Sequence, residues 1–366
     1  MKKTIKHRGN KMLIGTIRWD AWLPSYTQVG GAVARTLNPI KYRCRAPYFT
    51  ILDAEGKVDY PEYTMDIWES EADYAIDAGI DYWAYCWYLD SDPMSLARKY
   101  HTQSPKNKQI KMCAVLGVHL FTETELRQLL DVMKEDYYLK IDGMPLIYVY
   151  GGTSQMDKDA VENLRKRAAA EGIPQLLMAS MISGINIDPA IAFNAGYDIQ
   201  SFYSCPIGGE EGPYTFAELA KIAEDRVENV GAKLYNGSPI QIIPSFTTGR
   251  DPRPRVDNPV FWCPNAYKPN NYAETATDKE IADHAIAIFN WTYEHPEQTA
   301  ANCVVSYGWN EHDEGGWLCP TAKVDETGDF ILDENGKLIP ETSRLYDFKA
   351  AVQSFREKEA EGIKQK

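Results

Sequence analysis

Residues 63–88, YTMDIWESEADYAIDAGIDYWAYCWY, combine a helical pattern and a strand pattern in one short unit. Apolar residues recur at helical spacing over Tyr63–Ala78, and Gly79 is a typical residue just after the end of a helix. Ile80–Tyr88 is aromatic and apolar, as in a strand. A helix joined by a short turn to such a strand indicates a parallel sheet whose strands are linked by helices.

The same alternation continues along the 366 residues. Eight strands are predicted, namely Met12–Trp19, Ile80–Tyr88, Ile110–His119, Pro145–Tyr150, Gln175–Met181, Tyr197–Tyr203, Ile240–Phe246 and Cys303–Trp309. The predicted helices are Tyr63–Ala78, Thr122–Lys134, Lys158–Glu171, Thr215–Val230, Asp278–Glu294 and Arg344–Glu359. This pattern predicts an α/β protein with a single (β/α)8 TIM barrel. An open doubly wound sheet is the alternative, but no GxGxxG follows the first strand.

Two inserts, both read as hairpins, fall outside this alternation. A long segment after the first strand, through Pro61, reads as irregular. Within it Thr50–Val58 reads as a hairpin, as does Phe330–Leu338 with its Asn-Gly turn. Both hairpins follow the C-terminal end of a strand, so we expect them to border one mouth of the barrel. We expect residues 1–10 to be a flexible segment and residues 11–360 to form one catalytic barrel, because no linker divides the chain.

Charge and hydropathy exclude several function classes. The formal net charge is −13, which argues against nucleic-acid or anionic-membrane partners. No apolar run approaches the roughly 18–20 residues that span a bilayer, and no secretion signal is visible. We therefore expect a cytoplasmic protein, or a periplasmic or secreted one if a leader has been removed.

Metal and cofactor motifs are absent from the sequence. The seven cysteines include no CxxC, the six histidines include no HxH or HExxH, and there is no GxSxG. We therefore predict neither a metal nor a cofactor.

Aromatic side chains are abundant at the predicted strand ends. The chain has 23 Tyr and 9 Trp, and flat rings with a polar tip suit a sugar-binding cleft. A large core that uses aromatic residues explains part of this surplus. In a TIM barrel the site lies at the C-terminal ends of the strands. The predicted substrate-binding residues are Arg18, Trp19, Asp20, Trp87, Tyr88, His119, Tyr150, Tyr203, Arg250, Asp251, Trp309, Asn310 and Trp317.

Two glutamates follow the eighth strand, at positions 311 and 314. Residues three apart share one face of a helix or tight turn, with Cβ atoms about 5–6 Å apart. Two carboxyls facing one bond at such a separation can cleave a glycosidic bond, one as a protonated acid and the other ionised. Trp309 and Trp317 would bracket the pair as stacking surfaces. A solvated acidic loop is the alternative interpretation.

The segment Asn310-Glu311-x-x-Glu314-Gly315 resembles the NExxEG motif of glycoside hydrolase family 99, the endo-α-mannosidases, and of related domains encoded in bacterial O-antigen clusters. Three more segments are similar to that family. They are Ala78–Tyr85 with its Gly-Ile-Asp, Ile141–Pro145 in place of IDGKP, and Gly249–Arg255 in place of GWDxxPR.

The resemblance implies a TIM-barrel hydrolase that cleaves α-mannoside-like bonds with retention. It implies that Glu311 acts as a base on the 2-hydroxyl of the sugar, through an epoxide-like intermediate, and that Glu314 is the general acid and then base. The chain departs from the family pattern at His312-Asp313 and at Arg250, where Trp is common. Substrate and bond type could differ accordingly.

Two other functions fit the sequence. A carbohydrate-binding barrel without catalysis would keep the aromatic cleft. A protein associated with glycosyl transfer in surface-polysaccharide synthesis is compatible with the lack of a visible secretion signal, but no nucleotide-sugar phosphate site is visible. All three functions take an oligosaccharide or polysaccharide as the partner.

Overall fold

Eight parallel strands form a barrel in the computed structural model, which describes residues 11–117, 122–151, 155–205 and 212–364. The strands are β1 Leu13–Arg18, β2 Tyr82–Cys86, β3 Lys111–Gly117, β4 Met144–Tyr150, β5 Leu177–Ile182, β6 Ile199–Phe202, β7 Ser245–Thr247 and β8 Cys303–Tyr307. From β1 to β6, each strand pairs with the next strand along the chain. In addition, β7 pairs with β8, and β8 pairs with β1.

The ring is completed between β6 and β7 by the backbone of Gln200. Its amide donates to the carbonyl oxygen of Gln241 at 2.9 Å, and its carbonyl oxygen accepts from the amide of Ile243 at 3.0 Å. The eight predicted strands and the (β/α)8 fold are thus confirmed.

Helices surround the barrel. They are α1 Gln28–Leu37, α2 Met65–Asp77, α3 Leu96–Gln103, α4 Glu123–Lys134, α5 Gln155–Ala170, α6 Pro189–Asn194, α7 Phe216–Gly231, α8 Arg253–Asp257, α9 Asp278–Glu294 and α10 Ser343–Lys364. Capping boxes fix the first turns of α4, α7 and α9, in each of which a Thr and the Glu three residues later satisfy each other's backbone amides.

Short two-stranded ribbons and 3₁₀ turns lie in the loops between the barrel strands and helices. Ile51–Leu52 pairs with Val58–Asp59, Leu234–Tyr235 with Ser238–Pro239, Asn310–Glu311 with Gly316–Trp317, and Thr321–Ala322 with Pro340–Glu341, while Lys140–Ile141 joins β4. The 3₁₀ turns are Ile40–Arg45, Pro93–Ser95, Pro105–Lys108 and His312–Glu314. Both predicted hairpins are confirmed, the second through an antiparallel bridge between Leu332 and Leu338.

Inside the barrel, the side chains of Tyr82 and Tyr148 fill the space next to Gly15 of β1. The Tyr82 hydroxyl lies 2.9 Å from that of Tyr148 and donates to the carbonyl oxygen of Val304 at 2.9 Å. A Cβ atom on Gly15 would lie 2.1 Å from the Tyr82 ring, so only glycine fits there. Buried hydroxyl groups need hydrogen-bond partners. The hydrogen bonds of the Tyr82 hydroxyl meet this need and fix the positions of the Tyr82 and Tyr148 rings.

The prediction of an irregular segment between β1 and Pro61 is wrong, because that segment contains α1. Gly30 and Gly31 weaken the helical pattern in the sequence. The structure needs glycine there, since a Cβ on Gly30 would lie 2.1 Å from the carbonyl oxygen of Leu23. Thr27 begins the helix by accepting a hydrogen bond from the Gly30 amide at 3.0 Å.

Two further predictions concern the first ten residues and membrane-spanning helices. Residues 1–10, predicted to be flexible, lie outside the described residues. Among the residues that the structure describes, no helix is both long enough and apolar enough to cross a membrane.

Candidate active site

The two glutamates lie on one tight ribbon directly after β8. Asn310–Glu311 pairs with Gly316–Trp317, and the turn His312–Glu314 connects them. Gly315 closes this turn at φ 85°, and a Cβ atom on it would lie 2.5 Å from the amide nitrogen of Asp251. That amide donates to the carbonyl oxygen of Glu314 at 2.6 Å. The ribbon is therefore fixed to the loop after β7, and glycine is required at position 315.

Glu314 is an ionised carboxylate held by four donors. Its Oε2 accepts hydrogen bonds from Arg250 and from the Tyr307 hydroxyl. Its Oε1 accepts from Arg255 and from the Tyr267 hydroxyl, the latter at 2.5 Å. Burial alone would raise the pKa of Glu314, but Arg255, Arg250 and the two tyrosines outweigh burial and lower it to about 2.

Glu311 has the opposite environment. Its side chain is only 4% exposed, and the Tyr203 hydroxyl donates to its Oε1 at 3.2 Å. Arg255 Nη2 lies 3.8 Å from Oε2, outside hydrogen-bonding distance. Burial, followed by repulsion from Glu314, raises the pKa of Glu311 to about 8. Near neutral pH the site thus holds one protonated and one ionised carboxyl, the combination that an acid and its ionised partner require.

Arg255 ties this pair to a third carboxylate. Its Nε and Nη2 donate to the two oxygens of Asp313 at 2.7 and 2.8 Å, in a bidentate pair that is almost wholly buried. The Thr36 hydroxyl of α1 also donates to Asp313, at 3.4 Å. The guanidinium lies over the rings of Trp19 and Trp262, with its carbon 5.0 and 5.6 Å from the ring centroids. One buried arginine therefore contacts both Asp313 and Glu314 and lies near Glu311.

Aromatic rings border Glu311. Tyr150 is 45% exposed, and its ring meets that of Tyr203 edge-on with centroids 4.9 Å apart. Trp19 donates from Nε1 to the Tyr88 hydroxyl at 2.9 Å, and its ring contacts that of Trp262 edge-on at 5.7 Å. Of the predicted substrate-binding residues, Tyr150, Tyr203, Trp19, Tyr88 and Arg250 thus lie around the glutamate pair.

Arg18 and Trp309 are buried behind this site, so the expectation that they contact substrate is corrected. Arg18 donates to Asp20 and to Glu71, each at 2.7 Å, and Trp309 donates from Nε1 to Glu71 at 3.0 Å. Both side chains are 0% exposed to solvent. Burial raises the pKa of Asp20 to about 6 in spite of the attraction of Arg18.

Other predicted residues support the site through contacts of their own. Asn310 accepts a hydrogen bond from the Trp19 amide at 2.8 Å, which joins the residue after β1 to the ribbon that carries the two glutamates. Asp251 is buried between Arg45 and Arg253, and therefore orders the β7 loop.

Two predicted tryptophans are nearly buried under arginines. The Arg98 guanidinium lies 4.0 Å from the ring centroid of Trp87, and that of Arg344 lies 3.8 Å from that of Trp317. Trp317 also stacks on His312 and is 7% exposed, so the structure does not present it as an open stacking platform. The predicted contact residue His119 lies outside the described residues.

Arg255, Tyr267 and Tyr307 contact Glu314 but are not among the site residues predicted from the sequence. Arg255 ends the segment Gly249–Arg255 that resembles the family, and Tyr307 lies in the predicted eighth strand. Tyr267 carries no local signal, because only the tertiary fold brings its loop to Glu314. Among the described residues, no three His, Cys, Asp or Glu side chains are grouped so that they could hold a metal ion.

Replacing Glu311 with Gln should stabilise the protein at alkaline pH. Between its ordinary pKa of 4.5 and about 8, Glu311 keeps its proton when folded and loses it when unfolded, so wild-type stability falls as pH rises. Gln does not titrate. The variant should therefore gain on the order of 3 kcal/mol in unfolding free energy relative to wild type between pH 5 and pH 8. Urea unfolding of both proteins at the two pH values checks this, and a difference independent of pH would contradict it.

Comparisons with known proteins support the architecture. No protein-family model matches the chain, and its sequence matches no curated protein. A structure of the GH99 endo-alpha-mannosidase from Bacteroides thetaiotaomicron matches with a TM-score of 0.61 at 13% identity, covering 94% of this chain and 97% of that one. A second structure of that enzyme, in complex with BIS-TRIS-Propane, matches with a TM-score of 0.57 and the same identity and coverage. Over nearly its whole length, this chain shares the TIM-barrel fold of the GH99 endo-alpha-mannosidase structures.

Proposed function

We propose that the protein is a glycoside hydrolase that cleaves α-linked, mannoside-like bonds of an oligosaccharide or polysaccharide with retention, using Glu311 and Glu314. The observation that carries this proposal is the pair of carboxyls on one turn after β8, with pKa values of about 8 and about 2. Glycosidases need one carboxyl that can donate a proton and one that stays ionised at the same pH. A solvated acidic loop would not produce this separation, because both carboxylates would titrate near their ordinary values.

The surroundings of the pair suit a sugar. Glu314 and Arg250 remain partly exposed, at 13% and 18%, so a ligand can reach the ionised carboxylate. Tyr150 presents an exposed ring beside Tyr203, whose hydroxyl reaches Glu311. Aromatic faces next to polar groups bind the apolar faces and hydroxyls of sugar rings. The fold shared with GH99 endo-alpha-mannosidase structures supports the choice of an α-mannoside-like substrate.

Digestion of a panel of α-linked oligosaccharides of mannose, glucose and galactose tests the proposal. Wild type should release products that mass spectrometry detects, whereas Glu314→Gln should not. Glu334→Gln, on the exposed second hairpin, is the matched control and should act like wild type. Hydrolysis by wild type and Glu314→Gln at equal rates would refute the role of the pair.

A carbohydrate-binding barrel without catalysis gives a different result in the same experiment. Isothermal titration calorimetry would then detect binding of a panel glycan, with no product from wild type and with nearly equal affinity in Glu314→Gln. A protein of glycosyl transfer would instead bind a nucleotide sugar. Titration with GDP-mannose and UDP-glucose should show no binding if the protein is a hydrolase.

A further inference from the structure

Three arginines follow β7, at positions 250, 253 and 255. A guanidinium group has a side edge, formed by Nε and Nη2, whose N–H bonds match the two oxygens of a carboxylate. In Arg253 this side edge donates to Asp251, from Nε at 2.8 Å and from Nη2 at 2.7 Å. In Arg255 it donates to Asp313, at 2.7 and 2.8 Å. Two of the three side edges are therefore filled by carboxylates of the chain itself.

The side edge of Arg250 is free. Its Nη1 donates to Glu314, whereas its Nε and Nη2 have no hydrogen-bond partner among residues 11–117, 122–151, 155–205 and 212–364. Unlike Nε of Arg226, neither nitrogen is fully buried, and the Arg250 side chain is 18% exposed. The guanidinium carbon lies 5.3 Å from the centroid of the Tyr267 ring. A group bound beside Glu314 can therefore reach this edge.

Arg255 shows that one guanidinium group at this site can hold two carboxylates. Its Nη1 donates to Oε1 of Glu314 while its side edge holds Asp313. Arg250 makes the equivalent Nη1 contact to Oε2 of Glu314. Negative and positive charges thus alternate in a row that begins at Asp313 and ends at Arg250. At the free end of that row, Coulomb attraction favours an anion.

Neutralising Glu314 is the simpler role for Arg250. That role requires one positive charge and one contact, which a lysine would also supply. It leaves the two N–H bonds of the free edge without a function. The chain also departs from the family pattern at this position, where Trp is common. A flat ring is thus replaced by a planar fork that suits an acidic group.

We propose that the free edge of Arg250 binds an acidic group of the glycan, so that the substrate contains a sugar with a carboxylate or a sulfate. This inference rests on the proposed hydrolase function and deepens it by naming the substrate class. Carboxylate and sulfate can each present two oxygens to the fork. The formal net charge of −13 disfavours a glycan that carries a charge on every sugar. We therefore expect acidic groups that are spaced along the substrate.

Competition between neutral and acidic glycans tests this proposal. The α-linked panel glycans are used in three forms: neutral, partly oxidised by TEMPO to C6 carboxylates, and partly sulfated at all hydroxyl positions. Mass spectrometry of the products from one mixture gives the ratio of kcat/KM for acidic and neutral forms. For wild type this ratio should be about 10–100, because a bidentate contact between charged groups contributes that much. The oxidised and sulfated arms identify which acidic group is bound.

Arg250→Lys keeps the positive charge beside Glu314 and removes the side edge. Any change at Arg250 also affects Glu314, so the readout is the acidic-to-neutral ratio and not the rate. The ratio should fall to within about threefold of one, because an ammonium group lacks the planar fork. Arg253→Lys is the matched control. Its side edge is already filled by Asp251, so the ratio should remain that of wild type.

Each other outcome has a defined meaning. A wild type without preference for an acidic form, or a preference that Arg250→Lys retains, would overturn the proposal and leave the hydrolase function intact. If no form is cleaved, the proposed function fails, and calorimetry with the same three forms decides the inference separately. Binding of an acidic form that Arg250→Lys loses would then support it, and any other binding result would refute it. Circular dichroism shows whether Arg250→Lys is folded, and Arg250→Gln replaces it if it is not.

Discussion

If the glutamate pair carries out the proposed hydrolysis, Glu314→Gln should reduce kcat by about 10³–10⁵-fold, because a neutral amide has neither the negative charge nor the exchangeable proton of a carboxyl group. The loss should exceed any effect on KM, since the carboxylate acts mainly on the transition state. The substitution also leaves the charges of Arg250 and Arg255 less compensated, which makes the site more positive.

Steady-state kinetics on the best glycan of the panel measures this loss. Glu334→Gln serves as the control for charge removal away from the site, and its kcat should stay within about twofold of wild type, since a surface substitution of this kind costs little stability. A folded Glu314→Gln protein that keeps more than a tenth of the wild-type kcat would contradict the catalytic role of Glu314.

Arg255→Met should be the most destabilising single substitution at the site. It leaves Asp313 and Glu314 with one buried counter-charge fewer, and removing one partner of a buried ion pair typically costs about 3–5 kcal/mol. Urea unfolding at pH 7 measures the change in unfolding free energy. The matched control is Arg253→Met, because Arg253 is 36% exposed and its partner Asp251 retains Arg45. That control should lose about 1 kcal/mol or less.

A double variant separates the charge effect from packing. Adding Asp313→Asn to Arg255→Met removes one of the uncompensated carboxylates, so part of the lost stability should return. If the two substitutions are simply additive, the destabilisation comes from lost contacts with Trp19 and Trp262 rather than from unpaired charge.

The barrel could be predicted from sequence because its signals are local. Each strand is a short apolar run, and helix ends such as Gly79 and caps such as Thr122 and Thr215 lie within a few residues of the elements they bound. Helix α1 was missed because its two glycines serve a close approach to the preceding loop, and a single sequence does not show that contact.

The site was predictable only in part. The spacing of Glu311 and Glu314 after a strand identified the pair, but their different environments depend on Arg250, Arg255, Tyr267 and Tyr203, which come from other loops and strands. Trp309 illustrates the opposite error. It adjoins the pair in sequence, yet its side chain points to the buried Glu71 instead of to the mouth of the barrel.

The most direct test of the central claim is the anomeric configuration of the first product. Wild type is mixed with the α-linked glycan that it cleaves best, and proton NMR follows the new reducing end before mutarotation equilibrates it. Our account predicts that the α anomer appears first and that Glu311→Gln and Glu314→Gln each abolish the signal. A β anomer that appears first, or an unchanged signal from either variant, would contradict retaining hydrolysis by this glutamate pair.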